Sequence, residues 1–138
     1  MLNLDHLSQC ILTLEKSLER FNQSKDGSID HEVFRNAVVK SFELTLETAG
    51  KLLRKALKTY VATPRSVDEL NYKEVFRHAG KHGLLTNPEI EHWFAYRDNR
   101  NDTAHDYGIE FTKTTLKLLP EFLKDAKQLQ KKLGSMHA

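Results

Sequence analysis

Eight consecutive residues, Arg100 to Tyr107, combine side chains that can do chemistry: Arg-Asn-Asp-Thr-Ala-His-Asp-Tyr. Arg100 can hold a phosphate through its planar fork of donors. His105 can accept and release protons near neutral pH, where an imidazole titrates. A phosphate-binding cation beside a general acid or base is the minimum equipment for acting on a nucleic acid or a nucleotide. The segment therefore predicts a binding site for a phosphate-containing ligand.

The helix that carries this segment is predicted to begin at Asn87-Pro88, with Asn as the cap and Pro as the first helical residue. Its apolar face contains Ile90, Trp93, Phe94 and Ala104. At ~100° per residue, Arg97 and Asn101 lie in the middle of that face. Because burying such groups without partners costs several kcal/mol, each needs a polar partner, a water-filled cleft or an anion.

Arg100 and His105 lie about 140° apart on an ideal helix, so one straight helix would not aim both at one phosphate. A distorted helix end or a second copy of the chain is needed. A two-fold dimer that packs this helix against its copy would bring two arginines and two histidines to one groove. Asn101, one turn before His105, could orient the imidazole. The alternative without a ligand is a buried network of Arg97, Arg100 and acidic neighbours.

The composition is typical of one folded domain over residues 1–138, with 39% hydrophobic and 29% charged residues. A net charge of +2 permits an anionic partner and does not require one. Cys10 is the single cysteine, which excludes an internal disulfide, and the start lacks the pattern of a signal peptide. No apolar stretch approaches the ~20 residues that cross a bilayer. We expect a cytoplasmic protein that does not enter the membrane.

Helical hydrophobic periodicity runs through nearly the whole chain and predicts an all-α, up-and-down bundle of four to five helices. The first helix carries its stripe on Leu4, Leu7, Ile11, Leu14, Leu18 and Phe21 and ends before Ser24. A second, from about Asp30 to Val61, has two apolar stripes. One contains Phe34, Val38, Ala49, Leu52 and Ala56; the other contains Phe42, Leu46, Leu53, Leu57 and Tyr60. So wide an apolar arc is typical of a central helix.

The remaining helices are separated by breaks at Pro and Gly residues. A third helix is predicted from about Asn71 to His82, with Gly83 as its terminator, after a break at residues 63–66. The fourth ends or bends at Gly108. The fifth runs from Ile109 to Leu133 with a break or kink at Pro120, followed by a frayed tail at residues 134–138.

Other groups of polar residues have simpler interpretations. His78 and His82 have the spacing of a metal pair, but the ligands that would complete a zinc site are missing nearby, so we predict no metal. The remaining groups are the stripe Asp98, Asp102 and Asp106, expected to face solvent or Lys113 and Lys117, and the basic run Lys51, Arg54, Lys55 and Lys58. That run could follow an RNA backbone, although a solvated helix face explains it more simply.

The segment Arg100 to Tyr107 fits the R-x-x-x-x-H-x-Y signature of HEPN domains. Residues 34–38 and 42–51 resemble the second helix of the HepT-like, nucleotidyltransferase-substrate-binding branch of that superfamily. Pro64, residues 83–85 and Trp93 also fall where the branch has counterparts. The resemblance covers about residues 4 to 130. One departure is Gly50, which stands where the branch often has an aromatic residue, usually Trp, and this affects the expected packing of the second helix.

The resemblance implies a homodimeric helical bundle that acts with a separately encoded, minimal nucleotidyltransferase. In many HEPN proteins the motif Arg and His form a metal-independent endoribonuclease site across the dimer. HepT-like members are toxins of this kind, which the partner neutralises by adding AMP to the motif tyrosine. By resemblance, Arg100 would bind the phosphate, Asn101 would support the site, His105 would be the general acid or base and Tyr107 the modified residue.

Arg97 is a second supporting residue because of its place on the apolar face. The predicted ligand is RNA or a nucleotide, with no cofactor and no metal. The alternative function is a non-catalytic subunit that binds a nucleotide or another substrate for the nucleotidyltransferase, or presents its own Tyr107. The complete set of motif residues favours catalysis, whereas the modest net charge favours a protein partner over a long RNA.

Overall fold

A computed structural model describes the backbone of residues 2–102 and 109–136 and the side chains of residues 2–100 and 113–136. The described residues form helices and no strand, which confirms the all-α prediction. The helices are α1 (Asp5–Gln23), α2 (Ile29–Leu57), α3 (Arg65–Asp68), α4 (Tyr72–Lys81), α5 (Asn87–Asp102) and α6 (Ile109–Ser135). None of the described helices is both long and apolar enough to span a membrane.

Short polar side chains set the start of three helices. The Ser28 hydroxyl accepts a hydrogen bond from the backbone N–H of His31 at 3.1 Å and caps α2. Asn71 and Glu74 form a reciprocal capping box at α4, with distances of 2.9 and 3.0 Å. Thr86 and Glu89 do the same at α5, with distances of 2.9 and 3.3 Å.

The predicted cap of α5 was therefore wrong by one residue. Thr86 makes the capping bonds, and Asn87 is the first residue of the helix, followed by Pro88. The pattern Thr-Asn-Pro-Glu is a capping box, which supplies two hydrogen bonds where the Asn87 side chain would supply one. This reciprocal pair explains why the helix starts one residue earlier than an Asn87 cap would place it.

An aromatic cluster joins α5 to α2 and α6. Phe122 of α6 lies edge-on to Phe42 of α2 at 4.8 Å between ring centroids, and to Tyr96 of α5 at 5.0 Å. Trp93, one turn before Tyr96, contacts the same ring at 5.6 Å and is fully buried. Edge-to-face aromatic pairs add about 0.5–1.5 kcal/mol each beyond the area they bury. The cluster fixes the middle of α5 and therefore positions the residues that follow it toward Arg100.

Several predicted boundaries differ from the structure. The second helix ends at Leu57 rather than Val61, and Tyr60, placed on an apolar stripe by the sequence, is 41% exposed. Its ring stacks on His82 at 5.0 Å, outside the core. The one-turn helix α3 begins within residues 63–66, which were predicted to be a break between the second and third helices. The third predicted helix is confirmed as α4, and Gly83 has a φ of +76°, the conformation that favours glycine after a helix.

Helix α6 continues through Pro120 without a break and extends two residues beyond the predicted end, to Ser135. Pro120 removes one helical hydrogen bond, but its side chain is exposed, so water can satisfy the freed carbonyl group on that side of the helix. The predicted break at Pro120 is therefore wrong, and the kink predicted as its alternative stays a prediction. The predicted end of the fourth helix at Gly108 lies outside the described residues.

Candidate active site

Arg100 lies in the last described turn of α5, where it is half-buried and close to α2. Its charge acts on Glu47 of α2. The Lys51 ammonium lies 3.0 Å from the Glu47 carboxylate and is the main cause of the lowered pKa of that carboxyl, and Arg100 and Lys40 lower it further. Arg100 therefore faces a partly charged surface of α2. The candidate site therefore includes one face of α5 and the neighbouring face of α2.

Arg97, three residues before Arg100, has an aromatic partner. Its guanidinium lies over the ring of Tyr72 in α4, 4.7 Å from the ring centroid. The sequence required a polar partner, a cleft or an anion for Arg97, and the structure provides a cation–π contact at the wall of a cleft. This contact keeps the guanidinium half-buried, and no acidic side chain pairs with it in the part of the chain that the structure describes.

Tyr72 is half-buried, and its buried hydroxyl has no hydrogen-bond partner among the described residues. Burial raises the pKa of Tyr72, and the charge of Arg97 offsets part of that rise. Gly50 of α2 lies against the same ring: a Cβ atom added there would come within 3.1 Å of Tyr72 Cε2. The ring therefore occupies the space beside Gly50, which accounts for the packing at the position where the resembling proteins often carry Trp.

A cleft of about 140 Å³ opens between α2, α4 and α5. It is lined by Glu47, Gly50, Lys51, Arg54, Tyr72, Val75 and Arg97. The volume is below the ~300 Å³ at which drug-sized ligand pockets begin, so the cleft suits one ring or one phosphate group rather than a whole dinucleotide. Cations dominate its polar lining, which makes it complementary to an anion.

The basic run on α2 is engaged mainly within the chain. Arg54 donates hydrogen bonds to the backbone carbonyls of Val67 at 2.6 Å and Leu70 at 2.8 Å. Lys58 forms an ion pair with Asp68 at 2.8 Å, and Lys51 pairs with Glu47. These contacts hold the segment around α3 against α2. They support the simpler interpretation of the run as a structural and solvated face.

Of the predicted site residues, the structure brings Arg97 and Arg100 to one end of α5. Asn101 belongs to the last turn of that helix, but its side chain lies outside the described residues. His105 and Tyr107 also lie outside them. The roles assigned to these three residues stay predictions.

The opposite side of α5 makes polar contacts that were not predicted from the sequence. The Tyr96 hydroxyl donates to Asp125 Oδ2 of α6 at 2.5 Å, and Asn99 Nδ2 donates to Thr115 Oγ1 at 3.1 Å. His92 Nδ1 lies 3.1 Å from the same Asp125 oxygen. These bonds attach α5 to α6 immediately before Arg100. The signal available in the sequence was the presence of Tyr96 and Asn99 next to the apolar stripe of a helix.

Ionisation of Tyr96 predicts alkaline sensitivity. Burial raises the pKa of Tyr96 above its model-compound value of 10.0, and the Asp125 and Glu121 carboxylates raise it further. A pKa raised on folding contributes stability that is complete below the unfolded value and is lost as pH rises above it. We therefore expect the midpoint of urea denaturation to fall above about pH 10.

The test is the midpoint of urea denaturation measured as a function of pH, together with the ultraviolet absorbance of tyrosinate. Tyr96→Phe should lose less stability at alkaline pH than the parent protein. Its absorbance titration should also contain one tyrosine fewer with a raised pKa. Equal alkaline losses in the two proteins would contradict the assignment, because lysine deprotonation acts on both alike.

The chain belongs to the protein family described as nucleotidyltransferase substrate binding protein like, whose family model matches residues 2–135. A curated relative from Haemophilus influenzae, named "Probable ribonuclease HepT", is 24% identical over 136 residues, covering 96% of this chain and 92% of the relative. The family expectation from the sequence is thereby confirmed.

Two solved structures share the fold. One, from Haemophilus influenzae and described as revealing the fold of a substrate binding domain of a nucleotidyltransferase, has a TM-score of 0.83 and 24% identity and covers 95% of this chain and 98% of its own. The other is a tri-AMPylated HEPN toxin of Shewanella oneidensis in complex with an MNT antitoxin. Its TM-score is 0.59 at 18% identity, with 97% of this chain and 99% of that chain covered. At these identities the structures establish the fold alone.

Proposed function

We propose that this protein is the toxin component of a two-protein system: a metal-independent endoribonuclease that a separately encoded minimal nucleotidyltransferase neutralises. The main observation in support is Arg100, which is half-buried in the last described turn of α5, three residues after Arg97, and Arg97 lines a cleft rich in cations. The second support is the relatives, one named as a ribonuclease and one a HEPN toxin bound to its antitoxin.

The proposed reaction is an internal transesterification of RNA. A ribose 2′-oxygen forms a bond to the neighbouring phosphorus while the bond from phosphorus to the 5′-oxygen breaks. His105 takes the proton of the 2′-hydroxyl or delivers one to the leaving 5′-oxygen, so the products are a 2′,3′-cyclic phosphate and a 5′-hydroxyl. Arg100 stabilises the negative charge that develops on the phosphoryl oxygens. No metal ion takes part in this balance.

The half-buried position of Arg100 strengthens that electrostatic role. A charge near the protein surface interacts several-fold more strongly than in bulk water because the effective dielectric constant is lower. Arg97 adds a second cation about one helical turn earlier, held in place by Tyr72. The two arginines place two cations near the end of α5, where Asp98 is paired with Lys73 of α4, so a phosphate can approach them.

Dimerisation is required for this chemistry, because Arg100 and His105 diverge by about 140° on one helix. We expect a two-fold dimer that packs α5 against its copy, so light scattering at micromolar concentration should give the mass of two chains. Ala95 is an exposed α5 residue in the single chain. Ala95→Arg should shift the protein toward monomer and reduce RNA cleavage, while Thr13→Arg, at an exposed position on α1, should change neither.

A monomer at micromolar concentration in the parent protein would contradict the dimer. A dimer that resists Ala95→Arg would place the interface on another face of the molecule.

A second candidate function is a non-catalytic subunit that presents a substrate, or its own Tyr107, to the nucleotidyltransferase. The observation in its favour is that the α2 cations Lys51, Arg54 and Lys58 are occupied by partners in the chain, which leaves a modest positive surface for a long RNA. RNA cleavage by the purified protein distinguishes the two functions. The partnership itself is tested by the neighbouring reading frame, which should encode a small protein with the G-S-x-x-x-G-x-x-x-x-x-S-D type of nucleotidyltransferase motif.

A further inference from the structure

Three side chains from two helices converge on one point at the side of the bundle. His92 Nδ1 of α5 lies 3.1 Å from Asp125 Oδ2 and 3.4 Å from Glu121 Oε1, both on α6. All three atoms lie within 4.8 Å of one another. Glu121 and Asp125 are four residues apart, so α6 presents both carboxylates on one face. The arrangement joins a nitrogen ligand from one helix to two oxygen ligands from another.

The two carboxylates of this cluster carry more negative charge than its one imidazole can balance. Asp125 has only 8% of its side chain exposed, and among the described side chains neither it nor Glu121 forms an ion pair with a lysine or arginine. Two carboxylates close together repel each other, and the hydrogen bonds of Asp125 to Tyr96 and His92 lower the cost of its burial without neutralising the second carboxylate. The imidazole alone can carry at most one positive charge. A divalent cation would neutralise both carboxylates at once.

The two distances from His92 Nδ1 fit a small tetrahedral metal ion, and the two carboxylate oxygens lie within 4.8 Å of each other. Zinc–nitrogen and zinc–oxygen bonds of ~2.0–2.1 Å place neighbouring ligand atoms roughly 3.3 Å apart in a tetrahedron. The two measured separations from His92 Nδ1, 3.1 and 3.4 Å, bracket that value. His92 and Glu121 are partly exposed, 37% and 53%, so solvent can supply a fourth ligand. The donor set of one imidazole and two carboxylates suits zinc and other first-row divalent ions.

We propose that His92, Glu121 and Asp125 form a binding site for one divalent transition-metal ion, with zinc as the preferred ion and water as the fourth ligand. Tyr96 supports the site from outside the ligand set, because its hydroxyl donates to the same Asp125 oxygen at 2.5 Å and so orients the carboxylate. The ring of Tyr96 is itself held by edge-on contacts with Trp93 and Phe122, at 5.6 and 5.0 Å between ring centroids.

The ion would act as a structural clamp between α5 and α6. His92 precedes Arg100 by eight residues, about 12 Å along the helix, so the ion would be distant from the proposed cleavage chemistry. Any ligand that binds only the folded state raises its stability by mass action. Zinc would therefore fix the helix that carries the arginines. This inference is independent of the proposed ribonuclease function, which needs no metal, and it differs from the prediction from sequence that the chain binds none.

The test is zinc binding to the tag-free protein, stripped with EDTA and dialysed, measured by isothermal titration calorimetry and by thermal unfolding. We expect one ion per chain, a Tm that rises with zinc concentration, and the intense visible absorption of four-coordinate cobalt when Co²⁺ replaces zinc. His92→Ala should abolish binding. Glu121→Gln, at an exposed position, should weaken it at least about tenfold, since loss of a supporting residue alone typically costs ~10–100-fold.

The matched control is His82→Ala, which removes an imidazole stacked on Tyr60 and leaves the proposed ligands intact. It should bind zinc like the parent protein. Circular dichroism shows whether each variant is folded. If His92→Ala does not fold, the zinc affinity of Glu121→Gln tests the proposal. The proposal is overturned if micromolar zinc does not bind saturably, or if both ligand variants keep full affinity. Because RNA is absent from these measurements, neither result bears on the ribonuclease proposal.

Discussion

His105→Ala should eliminate RNA cleavage by the purified protein. With EDTA present, the parent protein is expected to cut RNA and leave a 2′,3′-cyclic phosphate, because the proposed reaction needs a proton carrier and a phosphate-binding cation and no metal. Loss of a general acid or base typically costs ~10²–10⁴-fold in rate. The fall should be measured as the initial rate on a defined oligonucleotide, with product ends identified by mass spectrometry.

His6→Ala is the matched control, since His6 is an exposed histidine at the start of α1, remote in sequence from the motif. It should cleave at the parent rate. Cleavage that persists in His105→Ala would point to a contaminating nuclease and to the non-catalytic function. Assays are run well below the Tm of the metal-free protein, so that removal of zinc by EDTA does not affect the comparison.

Arg100→Ala tests the other half of the site. Removing one group that stabilises transition-state charge costs about 10²–10³-fold. Arg100→Lys keeps the charge but loses the two-pronged donor geometry, so it should recover only part of the rate. Arg20→Ala, in the last turn of α1, removes a comparable helix-end arginine and should have no effect. Equal activity in Arg100→Ala and the parent protein would remove Arg100 from the mechanism.

Local signals made much of the fold predictable. The stripe of α1 and the Gly83 terminator depend on spacing within one helix or one turn, and the structure confirms both. Tyr60 was misplaced because its helix ends three residues earlier, and a period alone does not show where a helix stops. Helix α3 was missed because a single turn next to Pro64 has no period to detect.

The contacts that build the site were harder to predict, since they join residues that are distant in the chain. Arg97 was expected to have a partner, but Tyr72 is on another helix and its identity follows only from packing. Asp98 was expected to face solvent or the lysines of the last helix; it is half-exposed and its partner is Lys73 of α4, at 3.6 Å. His92 and Asp125 are 33 residues apart in sequence and meet only because α5 packs on α6.

Modification of Tyr107 should inactivate the ribonuclease. On an ideal helix Tyr107 lies about 20° from Arg100 and two turns further on, so we expect its hydroxyl to open toward the same groove. An AMP group added there would bring a negative phosphate and a bulky adenosine to the arginines and compete with the RNA phosphate for them. We expect the neighbouring nucleotidyltransferase, with ATP and Mg²⁺, to raise the mass of this chain by one or more AMP units and to abolish cleavage.

Tyr107→Phe should remove the mass increase and leave fold, dimer and cleavage intact, because the phenyl ring is retained and only the acceptor oxygen is lost. Tyr60→Phe is the control: Tyr60 is an exposed tyrosine of the same chain, so accessibility alone would make it a substrate. If attachment of AMP depends on the groove, Tyr60→Phe should show the same mass increase as the parent protein. A mass increase that is absent from the parent protein would leave the groove as a docking surface for the nucleotidyltransferase, because neutralisation would then need contact and no covalent change. A mass increase that is undiminished in Tyr107→Phe would also contradict the assignment, because the AMP would then be attached to another residue.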